Sequence, residues 1–186
     1  MPVAGVDIGS LTAKAVVLEG SDIKATSLVL TGHNSKLAGR RALDLALEQA
    51  GLAEDGLDSI VATGYGRLAA DFTDEKVTEI TCHARGAHFT TPEARTVIDL
   101  GGQDSKAIAI DAGGKVLDFV MNDKCSAGTG RFLEVMAHAL EKRFDSKILV
   151  PEMPQHTGAL GAAIIAGERA ECAGSAEGAA GIDQTP

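Results

Sequence analysis

The chain contains one polar motif twice, each time between apolar segments rich in strand-forming residues. Residues 5–18 read GVDIGSLTAKAVVL and residues 97–110 read VIDLGGQDSKAIAI, so that Asp7 aligns with Asp99. Each copy predicts a strand, a tight glycine turn and a second strand. Two such hairpins that face each other would hold a polyphosphate between them, so the repeat predicts a nucleotide-binding cleft.

Each part of the repeated motif has its own chemistry. Backbone N–H groups in a turn of this kind form an anion-binding nest, and the turn hydroxyls add donors. The carboxylates of Asp7 and Asp99 repel phosphate, so we expect them to hold Mg²⁺, partly through water. The aligned Lys14 and Lys106 would neutralise phosphate charge, unless they point to solvent from their strands. The alternative interpretation is two ordinary hairpins in one sheet.

Other nucleotide signatures are missing from the sequence. The Walker pattern GxxxxGK[ST] does not occur, and the glycines of segment 64–66 are followed by Arg-Leu-Ala rather than by the third glycine of a dinucleotide fingerprint. Segment 63–67 nevertheless follows a predicted strand, where ligand contacts are common in α/β proteins. The doubled hairpin resembles the actin, hexokinase and Hsp70 ATPase superfamily.

A second candidate site surrounds Cys125, which stands in a small, glycine-rich turn before a helix predicted over 128–143. A helix N-terminus lowers the pKa of a thiol and favours the thiolate that binds metal, so an iron–sulfur ligand is one interpretation. A buried cysteine in a turn is the other. Cys82 and Cys172 show no CxxC spacing, although a symmetric dimer would double whatever one chain contributes.

Composition limits the possible functions. The 186 residues suit one ordinary domain or two small ones, and 45% hydrophobic content suits a globular core. The net charge of −9 argues against a nucleic-acid partner. We see no membrane-spanning run and no signal peptide, and three cysteines without framework spacing suit a reducing compartment. The expected location is cytoplasmic.

Hydrophobic periodicity, together with capping residues and glycines, predicts the remaining elements. Ser35 is expected to cap a helix over 35–49 that ends at Gly51, and a strand over 77–81 is expected to lead into a helix with Cys82 and His83. The five histidines lack metal-ligand spacing and are expected to be structural or exposed. Further predicted elements are strands over 25–30, 57–62, 115–121 and 147–150, a helix over 157–165 and a disordered tail over 171–186.

Five segments together identify a family resemblance. Residues 5–18, 62–67, 79–87, 97–106 and 121–136 resemble the BadF/BadG/BcrA/BcrD ATPase family, and within it most closely the activators of 2-hydroxyacyl-CoA dehydratases. The resemblance implies an α/β, actin/hexokinase/Hsp70-like (ribonuclease H-like) ATPase fold. It also implies a largely complete first half-domain over 1–95 and a truncated second half-domain over 96–170.

The resemblance implies an activity as well. Members are homodimeric ATPases that take a low-potential electron from ferredoxin or flavodoxin and transfer it to a dehydratase component through a 4Fe-4S cluster between the subunits. Cys125 matches one cluster ligand, and Asp7 and Asp99 would hold Mg²⁺ and orient water for catalysis. The residues expected to bind ATP or ADP are Gly9, Ser10, Leu11, Thr12, Lys14, Gly101, Gly102, Gln103, Asp104 and Lys106.

The chain departs from the family between Phe144 and Lys147. There the family carries a long, mostly helical stretch with the second cluster cysteine and a Gly-Gly-Val segment that contacts adenosine, and this sequence lacks both. A dimer would then offer two matched thiolates rather than four. The alternative function is therefore a nucleotide-binding or degenerate family member with little or no activity. A sugar kinase is a weaker alternative, because no sugar-binding domain separates the two motifs.

Overall fold

Two β-sheets carry the two hairpins. The computed structural model describes residues 1–102, 104–122 and 149–180. Its strands are β1 Pro2–Ile8, β2 Thr12–Glu19, β3 Asp22–Leu30, β4 Ser59–Thr63, β5 Glu75–Lys76, β6 Thr96–Leu100, β7 Ser105–Ile110 and β8 Val116–Asn122. Its helices are α1 Ser35–Ala50, α2 Glu79–Thr90 and α3 Thr157–Ala180.

The first sheet has five strands in the order β3-β2-β1-β4-β5, and the second has three in the order β6-β7-β8. Strands β1 to β3 are antiparallel neighbours, whereas β4 pairs in parallel with β1. The second sheet is antiparallel throughout. Its first hairpin repeats the register of the other sheet, because Asp7 pairs with Lys14 and Asp99 pairs with Lys106.

Both faces of the first sheet are covered, which explains why its central strands are almost wholly apolar. Helix α1 packs on one face, where Val6 and Ile8 meet Leu43 and Leu47. Helix α3 packs on the other face, in a cluster that contains Val3. The alternation of inward positions along β1 follows the two-residue period of a strand. The sheet therefore forms the middle layer of this part of the molecule.

Glycines bring helix α3 unusually close to its neighbours. A Cβ on Gly5 of β1 would collide with the backbone of Ala159, and a Cβ on Gly161 would collide with the carbonyl of Cys82 in α2. A Cβ on Gly86 of α2 would collide with the carbonyl of Thr157. Helix α3 follows the second hairpin in sequence and was expected in the second half-domain with it. In the structure it packs against the first sheet and α2.

Several predicted elements differ from the structure. Asn34, not Ser35, caps α1, since its side chain accepts from the N–H of Leu37 at 3.0 Å. The strand predicted over 77–81 is wrong: only Glu75–Lys76 pairs as a strand, and Thr78 caps α2 with its side-chain oxygen. This cap overrides the strand preference of the β-branched residues around it.

The C-terminal region also differs from the prediction. The structure is helical from Thr157 to Ala180, so the disordered tail predicted from residue 171 is wrong as far as residue 180. Alanine has the highest helix propensity, which favours a helix in this alanine-rich segment. Residues 149 and 150 are not in a strand. Gln103, Cys125, the helix predicted over 128–143 and residues 181–186 lie outside the described residues. Within the described part of the chain, no helix is long and apolar enough to cross a membrane.

Candidate nucleotide site

The two glycine turns are closed by the same backbone hydrogen bond. In the first, the N–H of Gly9 donates to the carbonyl of Thr12 at 3.0 Å, and in the second the N–H of Gly101 donates to the carbonyl of Asp104 at 2.9 Å. The N–H groups of Ser10, and of Leu11 beside it, take no part in the backbone bonds that close the first turn. The repeat in the sequence is therefore also a repeat in backbone structure, with donors left over for an anion.

The two turns touch each other. A Cβ placed on Gly102 would lie 2.5 Å from Cδ1 of Leu11 and 3.2 Å from Oγ of Ser10. A side chain at position 102 would require that of Leu11 to move. The structure thus brings together two turns that are far apart in sequence, at one place between the two sheets.

Neighbouring segments hold the first turn in position. The hydroxyl of Thr31 donates to the carbonyl of Gly9 at 2.8 Å, and the N–H of Thr31 donates to the carbonyl of Leu11 at 2.9 Å. From the other side, the N–H of Gly66 donates to the carbonyl of Ile8 at 2.8 Å. The loop over 63–67 therefore holds the end of β1, which leads into the first turn.

Asp7 is the acidic residue at the end of β1, and it is 5% exposed. Its Oδ2 lies 3.4 Å from Nζ of Lys14. A Cβ on Gly64, whose φ is +84°, would collide with Oδ1, and a Cβ on Gly158 would lie 2.9 Å from Oδ2. Glycine at both positions allows the backbone to approach the enclosed carboxylate closely.

Asp99 occupies the equivalent position at the end of β6. Its Oδ2 lies 3.2 Å from Nζ of Lys106, which also contacts Asp104 at 2.7 Å and Glu79 at 3.3 Å. Burial by itself lowers the pKa of Lys106, but the hydrogen bond to Asp104 and the charges of Asp99 and Glu79 outweigh it and raise the pKa above its usual value. Lys106 is therefore a permanent buried cation.

His83 of α2 also reaches this site, with Nε2 3.5 Å from Oδ2 of Asp99. This contact was not predicted, since no spacing in the sequence links a helical histidine to an aspartate in a later strand. The nearest signal is the position of His83 in segment 79–87, which lies in the predicted helix between the two hairpins. The site therefore contains one titratable residue that pattern reasoning missed.

The donor set fits a magnesium nucleotide. Two carboxylates provide the oxygen ligands that Mg²⁺ prefers, with water completing its shell. The N–H groups of Ser10 and Leu11 have no backbone acceptor among the described residues, so they are candidate donors for phosphate. Among the described residues, no group of three or more His, Cys, Asp or Glu side chains is placed to hold a metal, so a cation here would depend on water and phosphate for its other ligands.

The described cysteines do not fit an iron–sulfur cluster. Cys82 is fully buried under the first sheet, and burial is the main cause that raises the pKa of its thiol to about 12. A protonated thiol is a poor metal ligand. Cys172 is exposed on α3. The expected ligand Cys125 lies outside the described residues.

Sequence comparison finds a clear set of relatives. The profile of the BadF/BadG/BcrA/BcrD ATPase family matches residues 4–147. The activator of lactoyl-CoA dehydratase from Anaerotignum propionicum is 49% identical over 154 residues, which are 82% of this chain and 59% of the relative. The 2-hydroxyisocaproyl-CoA dehydratase activator from Clostridioides difficile is 46% identical over 138 residues, which are 74% of this chain and 52% of the relative. In sequence, the chain spans half to three-fifths of their length.

Structural comparison finds the same group of proteins. The activator of the 2-hydroxyisocaproyl-CoA dehydratase from Clostridium difficile, solved with bound ADPNP, has a TM-score of 0.81 at 30% identity over 94% of this chain and 97% of that chain. Component A of the (R)-2-hydroxyglutaryl-CoA dehydratase from Acidaminococcus fermentans has a TM-score of 0.82 at 28% identity over 92% and 99%. The expected actin/hexokinase-like α/β fold is confirmed. The structural alignments cover 97–99% of the solved chains, whereas the sequence matches cover 52–59% of the relatives.

Proposed function

The chain belongs to the BadF/BadG/BcrA/BcrD ATPase family, and on that premise we propose that it binds and hydrolyses Mg-ATP between its two hairpin turns. One observation carries the proposal. The unit of acidic residue, glycine turn and paired lysine occurs in both hairpins, and the two turns are in contact. The solved relative with bound ADPNP supports the same ligand class.

Each part of the site has a role in this proposal. Asp7 and Asp99 hold Mg²⁺, which when bound neutralises phosphate charge and fixes the triphosphate. The N–H groups of Ser10 and Leu11 bind phosphate oxygens. The ion pairs to Lys14 and Lys106 orient the two carboxylates. The second turn, with Gly101, Gly102, Gln103 and Asp104, closes the site from the opposite side.

We further propose that ATP turnover serves to activate a 2-hydroxyacyl-CoA dehydratase. The support is that relatives at 46–49% identity are dehydratase activators. In this proposal the active form is a homodimer with a 4Fe-4S cluster to which Cys125 contributes, and ferredoxin or flavodoxin is the electron donor. The cluster would supply low-potential electron transfer, and we assign no step through it to the described residues.

A second candidate function is a nucleotide-binding member without a complete cluster. The state of Cys82 favours it, because a buried thiol whose pKa is raised to about 12 does not replace a missing thiolate ligand. Iron and labile sulfide per chain after anaerobic reconstitution decide between the two candidates. Cluster binding that is lost in Cys125→Ala and kept in Cys82→Ala supports the electron-transferring activator, while a colourless wild-type protein supports the second candidate.

The nucleotide proposal has its own experiment. We expect calorimetry to detect ADPNP binding that is strengthened by Mg²⁺, and the Asp7→Ala and Asp99→Ala variants to lose this strengthening. Asp22→Ala is the matched control, because Asp22 is an exposed carboxylate at the start of β3. Binding of ADPNP that is equally strong in all four proteins, or absent from the wild type with and without Mg²⁺, would overturn the proposal.

A further inference from the structure

The imidazole of His83 lies between the two carboxylates of the candidate site. Its Nε2 is 3.5 Å from Oδ2 of Asp99, and its Cε1 is 3.2 Å from the position that a Cβ on Gly158 would take. That same position is 2.9 Å from Oδ2 of Asp7. The His83 side chain is 14% exposed, so it is enclosed by the site rather than directed into solvent.

Lys106 does not orient Asp99 by itself. Its ammonium group is shared among three carboxylates, and the shortest of the three contacts is to Asp104, at 2.7 Å against 3.2 Å for Asp99. The remaining contact is to Glu79, on the first turn of α2. The three N–H donors of the ammonium group can serve all three carboxylates, and a second partner for Asp99 would add to the hold of Lys106 on its orientation.

Helix α2 provides that second partner. His83 approaches Oδ2 of Asp99 from α2, while Lys106 approaches the same oxygen from β7. Both contacts are made to Oδ2, and within the part of the chain that the structure describes no ion pair reaches Oδ1 of Asp99, the oxygen that would face a cation or its water shell. The other acidic residue, Asp7, has an ion pair only with Lys14 among the described residues.

We infer that His83 is a positioning residue for Asp99, holding Oδ2 so that Oδ1 faces the magnesium nucleotide. This inference depends on the proposed function, because it concerns the same Mg²⁺ site. A partner that orients a metal-binding carboxylate acts on metal affinity rather than on contacts with the nucleotide itself. His83 should therefore affect the Mg²⁺ requirement of nucleotide binding and leave Mg²⁺-free binding unchanged.

The experiment measures ADPNP affinity by calorimetry over a series of Mg²⁺ concentrations and in EDTA. For His83→Ala we expect the Mg²⁺ concentration at half-maximal effect to rise about 10- to 100-fold, with the affinity in EDTA unchanged. His83→Gln should recover part of the loss, because its side-chain amide can bring an N–H group towards Oδ2 of Asp99. The matched control is His88→Ala on the same helix, since His88 packs beside Gly114 at the β7–β8 connection.

Three results would overturn the inference. These are a Mg²⁺ requirement in His83→Ala equal to that of the wild type, a loss of affinity in EDTA as large as the loss in Mg²⁺, and a Gln variant no better than Ala. If the wild type itself binds no ADPNP, the proposed function fails and this inference fails with it. If the wild type binds ADPNP with a Mg²⁺ requirement and His83→Ala shows the same requirement, the inference fails while the proposed function stands. Circular dichroism confirms that each variant is folded.

Discussion

The carboxylate of Asp7 lies 3.4 Å from the ammonium of Lys14, its register partner across the β1–β2 hairpin. The second hairpin repeats this pair with Asp99 and Lys106 at 3.2 Å. The repeated pairs are not equally buried, since the side chain of Lys14 is 15% exposed and that of Lys106 is 2% exposed. The second lysine also contacts two further carboxylates. The lysine of the second hairpin is therefore expected to contribute more to the free energy of unfolding than the lysine of the first.

Replacing Lys106 with Met should destabilise the protein strongly. Three carboxylates would lose their common cation in a buried position, and such a loss costs about 3–5 kcal/mol. Lys14→Met is the matched control, because it removes one partner from one carboxylate and should cost less. Urea unfolding of both variants measures the difference, and equal losses would contradict the assigned weight of the Lys106 cluster.

The contribution of Lys106 should also depend on pH. Its pKa is raised in the folded protein above the ordinary value of 10.5, so its stabilising effect is complete below pH 10.5 and declines as the pH rises through the folded pKa. The difference in unfolding free energy between wild type and Lys106→Met should therefore be constant at neutral pH and shrink only in strongly alkaline buffer. A difference that already shrinks near pH 8 would contradict this assignment.

Gly64→Ala should cost more stability than Gly20→Ala. Both glycines have positive φ, of +84° and +61°, so alanine at either position carries about 1–2 kcal/mol of backbone strain. Around Gly20, no atom of the residues that the structure describes lies within 4 Å of the new Cβ, whereas at Gly64 the new Cβ would collide with Oδ1 of Asp7 and the backbone of Ile8. Denaturant unfolding compares the two variants. A similar cost in both would show that the Asp7 pocket adapts freely.

Two glycines of helix α3 should respond to alanine in opposite directions. Gly161→Ala places a Cβ against the carbonyl of Cys82, and overpacking of this kind costs about 1–3 kcal/mol. Among the described residues, the new Cβ of Gly167→Ala meets only Cγ2 of Val3 at 3.8 Å, and the substitution should stabilise the helix by about 0.5–1 kcal/mol. Thermal melts of the two variants check the signs. Stabilisation by both would mean that α2 and α3 pack less tightly than described.

Cys82 and Cys172 should differ sharply in reactivity. Burial raises the pKa of the Cys82 thiol to about 12, while Cys172 is exposed on α3. Iodoacetamide at pH 8 should therefore label Cys172 in the native protein and label Cys82 only after unfolding, because the thiolate is the reactive form. Peptide mapping by mass spectrometry distinguishes the two sites. Rapid native labelling of Cys82 would contradict its burial under the first sheet.

Local patterns predicted the parts of the fold that depend on local interactions. Both hairpins, α1 with its stop at Gly51 and the helix that carries Cys82 were expected from periodicity and glycine position. The errors occurred where two local preferences compete. At Thr78, β-branched neighbours favour a strand, but the side-chain oxygen caps α2, and the cap determines the outcome.

The parts of the site that were missed depend on tertiary contacts. His83 meets Asp99 only because α2 packs beside the second sheet, and Gly158 meets Asp7 only because α3 returns to the first sheet. No spacing within one element encodes either contact. The expected positions of Asp7 and Asp99 at the ends of β1 and β6 were correct, because a repeated strand ending is visible in sequence. Their roles in binding Mg²⁺ stay predictions.

The packing of α3 on β1 has a consequence for synthesis on the ribosome. Val3, Val16, Leu18 and Val61 belong to the apolar cluster that α3 covers, so β1 is synthesised well before the helix that packs on it. A nascent chain that has completed both hairpins but not α3 still has these side chains without that helix. The contacts between α3 and the first sheet form only after residues from 157 onward have emerged, so this part of the core is completed late in folding.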